Sequence, residues 1–155
     1  MTKFLLAVHV LAAIVAIGPV TVAASMFPPS ARKALAEPGD AQALSTVRVL
    51  HRICRVYATV GVAVPVFGFA TAKNMGVLGD TWLIVSIALT ALAAVVLAAL
   101  VLPRQTAIVE GIQRDAGTVS ARATARLAMF TGLFNLLWAT VTILMIVRPG
   151  STTGA

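Results

Sequence analysis

The chain has 155 residues, of which 59% are hydrophobic and only 11% charged, with a net charge of +7. A soluble domain carries about 25% charged residues, so a soluble fold is excluded and an integral membrane protein is indicated. The single cysteine, Cys54, excludes an internal disulfide and a cysteine-built metal site. The basic excess has a topological explanation, set out below, so no nucleic-acid partner is expected.

Four uncharged apolar runs follow in chain order: Phe4 to Phe27, Val56 to Ala72, Thr81 to Leu102 and Leu127 to Val147. A hydrocarbon core of about 30 Å needs roughly 20 helical residues at about 1.5 Å each, and all four runs fit. Lipid offers no partner to an open backbone group, so each run is expected to be helical. The expected fold is all-α: one domain over residues 1–155, a membrane bundle of four transmembrane helices with cytoplasmic helical extensions. The first run exceeds the roughly 7–15 residues of a signal-peptide core and reads as a retained span. Pro28-Pro29 is expected to stop the first helix and Pro149-Gly150 to close the fourth; Pro103 follows the third, after which "RQTAIVEGIQRD" can continue as helix until Gly117. Asn74 to Asp80 reads as a tight turn, Asp40 as the cap of a helix leading into the second span, and "STTGA" as a flexible tail.

The basic residues divide unevenly. Lys3, Lys73 and Arg148 lie at the termini and the short turn. Arg32, Lys33, Arg48, Arg52, Arg55, Arg104, Arg114, Arg122 and Arg126 lie in the two longer connections. Basic residues stay on the cytoplasmic side, which predicts both longer connections in the cytoplasm and both termini outside. The bias to Ala, Val and Arg over Lys and Asn points to a GC-rich bacterial genome, and so to a bacterial inner membrane. Arg48, His51, Arg52 and Arg55 precede the second span, where they are expected to meet lipid headgroups.

Polar residues inside the spans can be placed by depth. His9 lies about 7.5 Å in from Phe4; Ser86 and Thr142 lie equally far from Thr81 and Val147. The three are expected to share a layer, with two hydroxyls serving the imidazole. Asn135, Thr90 and Thr59 form a deeper layer. There the Asn135 amide is expected to reach the carbonyls of Val15 and Gly61, which Pro19 and Pro65 leave without helical donors. Gly61 and Pro65 together predict a kink. Ser86, Thr90, Ala94 and Ala98 form a stripe of small residues suited to close helix packing. The five acidic residues, Glu37, Asp40, Asp80, Glu110 and Asp115, all lie outside the spans, so no carboxylate pair or two-metal site is indicated.

The segment His9-Val-Leu-Ala-Ala-Ile-Val-Ala-Ile-Gly-Pro19 resembles the first helix of a family of uncharacterised bacterial four-helix integral membrane proteins. The motif is also similar to that of copper-resistance CopD-type domains and HemJ-type protoporphyrinogen oxidases. The HemJ-type likeness implies haem b or porphyrin at His9, with a lysine in a later helix. No span here holds a lysine, and Lys73 lies just past the second. The CopD-type likeness implies metal at His9 with methionines such as Met26, Met75 or Met145. Three functions follow as expectations: a non-enzymatic accessory or scaffold subunit in a larger membrane complex or homo-oligomer; a haem- or porphyrin-binding redox protein using His9; and a small-molecule or ion transporter.

Overall fold

The first helix, α1 (Thr2–Ala36), runs straight through both Pro28 and Pro29. It opens a computed structural model that describes residues 1–151; the expected tail lies, beyond Ser151, outside the described residues. The other elements are α2 (Ala41–Val60), α3 (Ala63–Met75), α4 (Thr81–Val95), a π-helical segment (Val96–Val101), α5 (Leu102–Arg114), a short 3-10 turn (Ala116–Thr118) and α6 (Ala121–Val147). No strand forms among the described residues. The second and third elements make one long bent helix, as do α4, the π segment and α5. The result is four helices long and apolar enough to cross a membrane.

The expected stop at Pro28-Pro29 is therefore corrected, and the helix expected to continue past Pro103 is present. Proline's fixed φ suits a helix, and its cost is a lost hydrogen bond and a clash one turn back. At Pro28-Pro29 that cost is offset by packing: Phe27, Pro28, Ala31 and Ala34 are buried, and Ala43, Val47 and Leu50 of α2 belong to the same apolar cluster. At Pro103 the preceding π segment loosens the backbone, and the Arg104 guanidinium donates to the Leu100 carbonyl at 3.0 Å. The other signals hold. The Asp40 carboxylate accepts from Gln42 N–H at 2.8 Å and Ala43 N–H at 3.1 Å, capping α2. The helix breaks between α2 and α3 at Gly61-Val62, where the Gly61 carbonyl, denied the Pro65 donor, accepts from Val64 N–H at 3.1 Å.

Burial is uneven along the bundle. The main core runs from Val20 to Ala34 on α1 against Ala43 to Cys54 of α2, Val96 to Val109, and Leu127 to Phe134 of α6. All of this lies towards the arginine-rich end. Towards the end that carries the chain termini, no residue of α1 before Ala16 is buried. There α3 packs on α1, α4 packs on α6, and a small cluster of Ala72, Val77, Trp82 and Leu83 closes the turn. The small-residue stripe on α4 shifts accordingly. Ala94 and Ala98 are exposed, and the buried line runs Ser86, Ala93, Leu97.

Candidate functional site

The polar residues within the spans do not form the expected layers. His9 turns to α3, where its Nδ1 lies 3.0 Å from the Val64 carbonyl. A carbonyl only accepts, so Nδ1 carries the proton and Nε2 holds the lone pair. The ring lies against Gly68: a Cβ there would come within 2.8 Å of His9 Cε1. Glycine is required at that position because the imidazole occupies the side-chain space. Ser86, fully buried, donates to the Trp82 carbonyl at 2.7 Å, and Thr142 to the Trp138 carbonyl at 2.9 Å. Thr90 likewise donates to the Ser86 carbonyl at 2.7 Å. Each hydroxyl meets its own helix one turn back, which satisfies it without crossing to a neighbour. His9, Ser86 and Thr142 thus share no hydrogen bond among the described residues.

Asn135 also departs from expectation. Its amide nitrogen donates to the Ser25 hydroxyl at 3.0 Å, across the α1–α6 seam. Its Oδ1 is buried without a partner, as is the hydroxyl of Thr131, one turn earlier. Ser25 itself is exposed on the outside of the bundle. Gly18 and Gly132 flank this seam, and an added Cβ at either would meet nothing.

At the arginine-rich end, α2 presents two faces. Ala43, Val47, Leu50 and Cys54 are buried in the core. Arg48, Arg52, Arg55 and Thr59, spaced four, three and four apart, form an exposed stripe on the other side. His51 sits between the faces, half-buried. Both ring nitrogens have partners: Nδ1 is 3.0 Å from Gln105 Oε1, and Nε2 is 3.2 Å from the Thr106 hydroxyl. Gln105 is fully buried and donates its amide to Cys54 Sγ at 3.5 Å. The Phe27 ring meets His51 edge-on at 6.4 Å. A four-residue polar chain, Thr106–His51–Gln105–Cys54, therefore ties α5 to α2 inside the core. Beside it lies a groove of about 400 Å³ lined by the arginine stripe, Val56 and Val109.

Sequence reasoning did not bring Gln105 or Thr106 to His51 because a helix continuing past Pro103 does not by itself fix which way its side chains point. The π segment shifts the helical register before α5, which sets the direction in which Gln105 and Thr106 point. The partner of His9 was nearer to hand, since Gly68 lies at the same depth, adjacent to Phe67. No group of three or more histidine, cysteine, aspartate or glutamate side chains suited to a metal ion occurs among the described residues.

The comparisons with known proteins address the whole chain. A family model described as "Predicted integral membrane protein (DUF2269)" matches residues 3–149. The chain belongs to this family. Members are integral membrane proteins of unknown function, so the protein sits in a lipid bilayer. No curated protein and no solved structure matches the chain, and a likeness to CopD-type and HemJ-type domains is not shown.

Proposed function

We propose that this DUF2269 protein is a non-enzymatic accessory or scaffold subunit of the bacterial inner membrane, with both termini outside. In this reading it docks a transmembrane helix of a larger partner on the α1–α6 seam. The observation that carries it is the Ser25–Asn135 pair, a polar couple on the α1–α6 seam whose Ser25 hydroxyl is exposed on the outside of the bundle. A hydroxyl exposed to hydrocarbon is costly, and a neighbouring helix is the usual source of its further hydrogen bond. Gly18 and Gly132 leave room for close backbone approach. The hydroxyls of Ser86, Thr90 and Thr142, bonded to their own helices, leave little to line a transport path. The test is a photo-crosslinking residue at Val22 or Met129 in native membranes. A discrete protein adduct, lost in Asn135→Leu, is expected. Adducts with lipid alone would overturn the reading, and an adduct of twice the chain mass would make the partner a second copy.

One observation favours a second reading. His9 Nδ1 is anchored on a carbonyl, and Nε2 makes no hydrogen bond among the described residues. That is the orientation in which imidazole serves a haem or metal as a single ligand. A Soret band in purified protein, abolished in His9→Ala, would establish it.

A further inference from the structure

We propose that the groove between α2 and α5 binds the phosphate headgroup of an anionic phospholipid. The charge pattern is the first argument. Arg48, Arg52 and Arg55 line the groove and no acidic side chain does. Glu110, the acid on α5, is paired instead with Arg114 at 3.6 Å. Arg52 and Arg55 make no side-chain hydrogen bond or ion pair among the described residues. Arg48 is steadied by Gln113, whose amide oxygen, turned to satisfy both groups, accepts from Nε at 2.8 Å and Nη2 at 3.0 Å. Guanidinium groups suit phosphate because their planar fork matches two oxygens at once.

Position along the bundle is the second argument, and it selects lipid over a soluble anion. The groove follows α2 from Arg48 to Thr59, about 16 Å along the axis. It crosses the boundary at which the uncharged run begins, between Arg55 and Val56. Its polar part therefore stands at headgroup level, and Val56, at its inner end, stands where an acyl chain starts. The wall is also rigid. His51 is held from both ring nitrogens by Gln105 and Thr106, so the arginine stripe is presented on a helix fixed to its neighbour.

The experiment uses the full chain, purified in neutral detergent, with native mass spectrometry of lipid retained against phosphatidylglycerol or phosphatidylcholine. Arg52→Gln/Arg55→Gln is compared with Arg32→Gln/Lys33→Gln, which removes the same charge elsewhere at the same end; all variants are checked for an unchanged helical spectrum. Wild-type protein is expected to keep one phosphatidylglycerol and not phosphatidylcholine. Occupancy should fall at least tenfold in the groove variant and stay unchanged in the control. Equal losses in both variants would reduce the effect to general surface attraction and overturn the site. No preference for phosphatidylglycerol, or displacement of it by millimolar inorganic phosphate, would overturn the assignment to lipid.

Discussion

The contact between His9 and Gly68 makes a prediction whose sign depends on its partner. In Gly68→Ala the new methyl would sit 2.8 Å from His9 Cε1 and 3.2 Å from Nδ1. The ring must retreat by about 0.6 Å to reach ordinary carbon contact. That carries the 3.0 Å bond to the Val64 carbonyl beyond hydrogen-bond length. The loss is about 1 kcal/mol for the bond if the ring retreats, or about 1–3 kcal/mol for overpacking if it stays in place. Against this, alanine is favoured over glycine within a helix by about 1 kcal/mol. Gly68→Ala alone should therefore destabilise by up to about 2 kcal/mol. In the His9→Ala background the clash and the bond are both gone, and the same substitution should stabilise by up to about 1 kcal/mol. The assay is reversible unfolding in mixed micelles, run as a double-mutant cycle. A coupling near zero, with Gly68→Ala equally harmful in both backgrounds, would show that the imidazole does not occupy the space above Gly68.

Three further outcomes are expected. Gln105→Leu keeps the volume but strands the His51 donor in the core, and should cost about 1–3 kcal/mol in the same unfolding assay. Cys54, fully buried, should react slowly with a membrane-permeant maleimide and at least tenfold faster in Gln105→Ala, as followed by mass spectrometry. The Asp40 carboxyl is held below its ordinary range, chiefly by the Ala43 N–H, with help from the Gln42 N–H and the Lys33 charge. Its cap is complete above the unfolded aspartate value of about 3.9 and is lost as pH falls through the lower folded value. The amide resonances of Gln42 and Ala43 should stay constant from neutral pH down to that range and then shift together. Asp40→Asn should keep the cap and remove the step.

Most of the architecture can be read from patterns set by the bilayer. Span count and the Asp40 cap follow from hydropathy and local chemistry, and the Gly61 break follows from proline sterics. The helix end at Pro28-Pro29 misled because a local rule met a tertiary one: burial of Phe27 and Ala31 holds the first helix together. At Pro103, where helix was expected to continue, a widened turn absorbs the proline. Site residues were less legible for a related reason. Depth counting gave His9 its level but not its azimuth, and the choice between Ser86 and Val64 is a choice of azimuth. Hydroxyls add a further ambiguity, since Ser86 and Thr142 satisfy themselves on their own helices and leave no trace of this in spacing. Gln105 was invisible as a partner for His51 because its direction is set by the π segment, a departure from helical period that no hydropathy pattern encodes.

The uneven burial along the bundle has a mechanical consequence. Four helices clamped together at one end and paired only loosely at the other behave as a set of cantilevers. Thermal displacement grows with distance from the clamp, so the first turns of α1 and the α3–α4 turn have the largest amplitude. A bilayer that thins or thickens exerts its force on those arms, because tilting the α1–α3 pair against the α4–α6 pair disturbs less buried surface than tilting the clamped segments, which would open the core. Membrane thickness would thus be registered at the terminal end alone, while the spacing of the arginines on α2 stays constant.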